Sequence, residues 1–288
     1  MFVASNSIRS VIDYFERKLT SDFSVRECRI MAKAFIRKRL ALTEHDLVLS
    51  SHQGVSESDL LYFRSAVKRL LDHQPFQYVL GETYFYGLTL KVNQAVLIPR
   101  PETEELVDWV LEDSKMDKLN VLDIGTGSGC ISLALKAKRK AWEISAVDVD
   151  DDALELAKDN GKTLGLDVNF YKMDISDAIS KSTKETYDLI VSNPPYIPVS
   201  EKKEMAKHVV EHEPEVALFV ADDDPFLFYK KISSFAWDNL AINGKLYFEI
   251  HESKAQEIKD ILELSGWEEV TIREDLQDKE RMMRAIKP

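Results

Sequence analysis

Apolar positions in the first 75 residues recur every three to four places, so this stretch reads as helices only. Ile8, Val11, Ile12, Phe15 and Leu19 form one stripe, preceded by the capping-type residues Ser5, Asn6 and Ser7. Cys28, Met31, Ala32 and Phe35 form a second. Thr43 with Asp46, and Ser56 with Asp59, have capping-box spacing, and the second box opens a stripe of Leu60, Phe63, Val67 and Leu70. Four short amphipathic helices bury their stripes against one another, which predicts a small bundle over residues 1–75.

The pattern then changes. Residues 78–92 set Gly81 and Gly87 among aromatic and β-branched residues, which predicts a hairpin inside a linker over 76–98. From residue 103 on, within a second domain over 99–288, helical and strand patterns alternate. Helices are expected over 103–112, 129–138, 151–164, 226–239 and 253–265, and strands over 121–124, 144–148, 169–173, 187–192 and 245–250. Two late strands, over 270–273 and 283–286, are close enough to pair antiparallel. Such alternation predicts an α/β fold: a doubly wound, mainly parallel sheet with helices on both faces and an antiparallel C-terminal strand.

The chain of 288 residues is long enough for two domains. Its 31% charged and 44% hydrophobic residues exclude disordered and collagen-like classes. No apolar run reaches membrane-spanning length, and Met1–Ser10 does not resemble a secretion signal. Two cysteines, Cys28 and Cys130, build neither a disulfide framework nor a four-thiolate zinc site, so a reducing, cytoplasmic location is expected. The net charge is −12, but residues 1–75 carry 12 basic and 9 acidic side chains. The acidic remainder argues against nonspecific nucleic-acid binding. The basic group Lys33, Arg37, Lys38 and Arg39 is either a solvated helix face or a docking surface for an acidic partner.

Candidate chemistry starts at Asp123-Ile124-Gly125-Thr126-Gly127-Ser128-Gly129, where a predicted strand turns through glycines into a helix. Glycines permit the sharp turn and let a ligand approach the main chain. Ligands of such sheets sit at the carboxyl ends of the strands. Asp148 ends the next strand, 23 residues after Gly125, where its carboxylate suits the hydroxyls of a ribose. Both NAD and S-adenosylmethionine fit an acid there. The Gly-x-Gly-x-Gly spacing differs from the dinucleotide pattern. Asp123 would repel a pyrophosphate and instead suits the amino group or cation of a zwitterion, which favours S-adenosylmethionine.

Asn193-Pro194-Pro195-Tyr196 follows the fourth strand of the sheet, beside the first in the usual doubly wound order. The prolines lack N–H groups and stiffen the chain, so the loop offers carbonyl acceptors. Asn193 adds an amide, and Tyr196 a face for stacking on a planar group. These parts suit a planar NH2 group, a poor nucleophile that needs acceptors to orient it and to stabilise the positive charge it gains.

With these residues in view, the chain resembles the bacterial peptide chain release factor glutamine N5-methyltransferase family. The resemblance covers most of the chain from about residue 75: residues 77–81, Val96-Leu97-Ile98-Pro99-Arg100-Pro101-Glu102-Thr103-Glu104, 122–129, 191–197, and Glu213-Pro214 with Ala217-Leu218. It implies as substrate the glutamine of the Gly-Gly-Gln loop of class 1 release factors. It also implies that Asp123, Gly125, Thr126, Gly127, Ser128, Gly129 and Asp148 bind S-adenosylmethionine, with Asp174 and Ile175 near its adenine. Asn193, Pro194, Pro195 and Tyr196 would hold the glutamine, Asn193 also lying near the methyl donor, and Asn193, Pro194 and Tyr196 form the expected catalytic set. The helical N-terminal part would contact the release factor body, the enzyme acting as a monomer without a membrane, nucleic-acid or metal partner. The departures are Asp222-Asp223-Asp224-Pro225 in place of a glycine-containing turn and His251 in place of glycine. The Asn-Pro-Pro-Tyr loop alone is shared with amino-methyltransferases of DNA bases, so methylation of adenine in nucleic acid is the competing reading.

Four features carry less. Arg100, between two prolines, either pins the linker to the sheet or touches the cofactor region. Glu102 and Thr103 have the character of a cap for the next helix. Cys130 opens a helix and is expected as packing. His208 and His212 lack the zinc-protease spacing.

Overall fold

The computed structural model describes residues 6–178 and 186–288, so Ser5 of the first capping group lies outside them. Two compact units emerge: Met1–Gly81 with Lys207–His212, and Glu82–Ala206 with Glu213–Pro288.

The first unit holds α1 (Ile8–Leu19), α2 (Val25–Leu40), α3 (Glu44–Leu49), α4 (Glu57–Leu71) and α5 (Phe76–Leu80). Both expected capping boxes form, at Thr43/Asp46 and Ser56/Asp59, and a third appears at Ser24/Glu27. The stripes meet in one core with Val11, Phe15, Phe35, Phe63 and Leu70. Two residues of the basic group have internal work. Lys38 Nζ donates to the Leu80 carbonyl at 2.6 Å, capping the end of α5, and Arg39 pairs with Asp59 at 2.7 Å.

The segment expected to open a hairpin at residue 78 instead divides. Phe76–Leu80 is a helical turn closed by Gly81 at φ +79°, and the hairpin runs from Glu82 (β1, Glu82–Phe85; β2, Leu88–Lys91). The left-handed glycine ends the turn before extended pairing starts.

The remaining elements, in chain order, are α6 (Pro101–Asp113), β3 (Asn120–Ile124), α7 (Cys130–Lys138), β4 (Glu143–Asp148), α8 (Asp151–Leu164), β5 (Asn169–Lys172), α9 (Ile175–Ala178), β6 (Tyr187–Ser192) and β7 (Ile197–Pro198). They continue with α10 (Lys207–Val210, in the first unit), α11 (Glu215–Leu218), β8 (Phe219–Val220), α12 (Leu227–Asn239), β9 (Leu240–Glu249), α13 (Ala255–Leu264), β10 (Glu268–Glu274) and β11 (Glu280–Ile286). Seven strands form one sheet in the order β10-β11-β9-β6-β3-β4-β5. β11 pairs antiparallel with both neighbours, while β9, β6, β3, β4 and β5 pair in parallel, the doubly wound arrangement expected.

Both faces of this sheet are covered, which is why its strands are nearly continuous apolar runs. Successive residues point to opposite faces. Val121, Val191 and Tyr247 join a core with Leu106, Val110 and Leu133. Leu122, Ile190 and Phe248 join another with Tyr229, Phe235 and Ile258.

Candidate active site

The register of the parallel strands lines up the chemistry. Ile124 pairs with Ser192 and with Val147, and Ser192 pairs with Phe248. The next residues, Glu249, Asn193, Gly125 and Asp148, therefore stand in a row at or just past the carboxyl ends of four adjacent strands. A cleft, partly open to solvent, lies here. Its lining includes Gly125–Ser128, Asp148, Asp174, Ile175 and Asn193–Pro195. Phe228 and Ile232 of α12 and the Met173 side chain add apolar wall, and Arg100 and Thr103 line it from the α6 end.

The glycine loop is tied at both ends. Gly125 and Thr126 amides donate to the Val147 carbonyl, each at 2.9 Å, and the Gly127 amide to Asp148 Oδ2 at 2.8 Å. Gly125 and Gly127 have φ of +75° and +53°, and a Cβ on either would extend into open space. Gly129 (φ +82°) differs, since its Cβ would come within 3.0 Å of Leu133. Two glycines thus shape a cradle, and the third lets α7 pack. Buried Asn160 holds the loop from below, its Nδ2 donating to the Ser128 and Lys91 carbonyls at 3.0 Å.

Asp123 is not among the lining residues, although a ligand contact was expected for it. Its side chain is buried under the loop, where Oδ2 accepts from Thr126 Oγ1 at 2.6 Å and the Ser132 amide at 3.2 Å. These bonds turn the carboxylate toward the start of α7, and Oδ1 is left buried without a partner. Burial outweighs the hydrogen bonds and pushes the Asp123 carboxyl up to about 6. Asp148 is also raised by burial, against the backbone amides of Asp150 and Gly127 that favour its charged form. Burial pushes the Cys130 thiol up to about 12, so it stays protonated at neutral pH despite its place at a helix N-terminus.

Asn193, Pro194 and Pro195 line the cleft, but Tyr196 does not. The ring expected to stack on a planar group has other neighbours in this structure. Its half-buried ring meets the edge of His251, with centroids 5.9 Å apart, and its hydroxyl donates to Glu249 Oε1 at 3.2 Å. A half-buried tyrosine needs a partner for its hydroxyl, and the strand-end Glu249 supplies one.

The expected helix cap at Thr103 is corrected as well. Arg100 is the N-cap residue and Pro101 opens α6; buried Thr103 instead donates from Oγ1 to Glu249 Oε2 at 2.6 Å and accepts from Asn193 Nδ2 at 3.3 Å. Glu249 is fully buried and its carboxyl is raised by desolvation, opposed by the Thr103 and Tyr196 hydrogen bonds. Arg100 lines the cleft and its Nη2 also pairs with buried Glu213 Oε1 at 2.6 Å, while Glu213 Oε2 accepts the Ile98 amide. Sequence reasoning missed Glu249, Asn160 and this use of Glu213. The available signals were an acid closing a central strand and an asparagine on the buried stripe of a helix. The departure at His251 pairs with Glu201 at 3.3 Å, and Asp222 accepts from the Ser200 amide. Among the described residues, no group of three or more His, Cys, Asp or Glu is arranged to hold a metal, and no helix is long and apolar enough to cross a membrane.

Residues 103–217 match the model described as methyltransferase small domain, and residues 12–81 the one described as PrmC N-terminal domain. The fold resembles that of a methyltransferase crystal structure from Pyrococcus furiosus, at TM-score 0.52 and 20% identity over 70% of this chain and 89% of that one. The release factor glutamine methyltransferase of Flavobacterium psychrophilum is 38% identical over 96% of this chain and 98% of its own length. That of Bacteroides thetaiotaomicron is 34% identical over 94% and 97%. With such identity over nearly its whole length, the chain belongs to the release factor glutamine methyltransferase family and is a methyltransferase.

Proposed function

We propose that this enzyme transfers a methyl group from S-adenosylmethionine to the side-chain amide nitrogen, N5, of the glutamine in the Gly-Gly-Gln loop of class 1 release factors. One observation carries the reading: Asn193, Pro194 and Pro195 line the same cleft as the glycine loop and Asp148. A proline-stiffened set of acceptors thus stands beside a nucleoside-type cradle.

The residues fit S-adenosylmethionine. Open space where Gly125 and Gly127 lack a Cβ leaves room for a ligand against the main chain. The Asp148 carboxylate suits ribose hydroxyls, and Asp174 and Ile175 suit the neighbourhood of the base. Asp123 contributes negative charge from beneath the loop, with an oxygen the protein itself leaves unused. When bound, the cofactor supplies an electrophilic methyl on a sulfonium.

The chain's own part is to position. Asn193 and the carbonyl of Pro194 accept the two hydrogens of the glutamine amide and orient its delocalised lone pair toward the donor side. As the nitrogen gains positive charge, these fixed acceptors stabilise it, and its surplus proton leaves to solvent after transfer. Met173, Phe228 and Ile232 give the cleft an apolar wall beside these acceptors. Tyr196 acts from behind, through Glu249. The first unit supplies contact with the body of the release factor, and the enzyme works as a cytoplasmic monomer.

The test is incubation with methyl-labelled cofactor and either a class 1 release factor or duplex DNA, followed by mass spectrometry. One added methyl on the Gly-Gly-Gln glutamine is expected. Label on DNA adenine, with an unmodified release factor, would overturn the proposal.

A further inference from the structure

An asparagine side chain has two ends of opposite sense: the oxygen accepts and the nitrogen donates. A glutamine NH2 offers only hydrogens, so Asn193 helps it only with the oxygen forward. Turned the other way, it would set donor against donor.

The hydrogen bonds around Asn193 choose between these orientations. Glu249 Oε1 takes the Tyr196 hydroxyl and Oε2 takes Thr103 Oγ1 at 2.6 Å, so the carboxylate is served by two donors. A third group, the Tyr229 hydroxyl from α12, holds the Glu249 backbone carbonyl at 3.3 Å. A hydroxyl has one proton, and that of Thr103 is committed to Glu249. Only its lone pairs remain for Asn193, so the end of the amide that faces it at 3.3 Å is the NH2. The oxygen then points away from Thr103, and Asn193 itself lines the cleft.

We infer that Thr103, backed by Glu249, is a positioning residue that locks the Asn193 amide with its acceptor toward the substrate nitrogen. The inference deepens the methyl-transfer reading above and rests on it. Thr103 stands 90 positions from Asn193 and 146 from Glu249, on α6 and β9, the elements that bracket the loop. Buried as it is, Thr103 gives the amide a partner that water does not replace.

The experiment compares wild type with Thr103→Val, Thr103→Ala, Thr103→Ser, Asn193→Ala and the double variant Asn193→Ala/Thr103→Val. It records kcat and KM for a release factor, the cofactor Kd and the melting temperature. Thr103→Val is expected to lower kcat at least about 10-fold, with cofactor Kd changed less than about 2-fold. Thr103→Ser keeps the hydroxyl and should stay within about 3-fold of wild type. In the Asn193→Ala background, Thr103→Val should have no further effect on kcat, because the amide it orients is gone. A kcat unchanged by a folded Thr103→Val or Thr103→Ala, or an equal loss with and without Asn193, would overturn the inference. A wild type inert toward release factors overturns the reading beneath it instead. The orientation is then decided by proton exchange at the 15N-labelled Asn193 side chain. Slow exchange in wild type that accelerates in a Thr103 variant supports the lock, and equally fast exchange in both refutes it.

Discussion

The amide of Gly127 donates to Asp148 Oδ2 at 2.8 Å, so the cleft-lining acid of β4 and the glycine loop after β3 are fastened to each other. Asp148 Oδ1 also accepts the Asp150 amide, which sets the rotamer from the far side. Asp148 thus serves both as a buttress of the loop and as a charge facing the cleft.

Replacing Asp148 by alanine should weaken S-adenosylmethionine binding about 10- to 100-fold, the worth of one or two hydrogen bonds to a charged group. Isothermal titration calorimetry reads this directly. A Kd within about 2-fold of wild type would sink the assignment of Asp148 to the ribose.

Gly127 and Gly129 should separate binding from folding. Alanine at Gly127 adds a methyl in open space at φ +53°, so it should cost about 1 kcal/mol of stability while filling part of the cradle and weakening cofactor binding. Alanine at Gly129 meets Leu133 at 3.0 Å and Ala157 at 3.4 Å at φ +82°, and should cost about 2–3 kcal/mol. Urea unfolding beside calorimetric titration checks the ordering, which fails if Gly127→Ala is the less stable protein.

Glu213→Ala removes the partner of both Arg100 and the Ile98 amide from a fully buried position. Loss of a buried pair of this kind costs about 3 kcal/mol when one partner stays behind, and Arg100 retains some solvent contact that lessens it. A fall of about 2 kcal/mol in unfolding free energy is expected, with the segment from Ile98 to Arg100 exchanging amide protons faster. Unchanged exchange there would show that the pair does not pin the segment.

Asp123 gives a pH dependence with a definite sign. Its carboxyl is raised from 3.8 to about 6, so between these values the folded protein binds the proton more tightly than the unfolded chain. Stability contributed by this group is therefore fully present below about pH 4, declines as pH rises to about 6, and is constant above, a change of about 3 kcal/mol. Asp123→Asn cannot titrate. The melting-temperature difference, variant minus wild type, should rise from pH 4 to pH 6 and then level off in the absence of cofactor. A difference that does not vary with pH would contradict the burial argument.

The helices of the first unit were readable because their caps are local. Thr43 and Asp46, or Ser56 and Asp59, meet within one turn of chain. The strands of the sheet were readable because, buried on both faces, they are nearly continuous apolar runs such as the Leu189-Ile190-Val191 centre of β6. The glycine loop and Asn193 were legible as parts of one site because each directly follows a strand of a parallel sheet, whose topology brings the strand ends together.

Periodicity, turn chemistry and strand-end residues therefore determined the architecture and the neighbourhood of the reaction, since each is written within a few consecutive positions. The packing of α6 and β9 around the loop decided the rest: Tyr196 turned to Glu249 and Thr103 bonded to Asn193. Buried polar groups take whatever partner the folded chain brings within 3 Å or so, and that partner stood 53, 90 or 146 positions away, a distance over which no local pattern specifies a meeting.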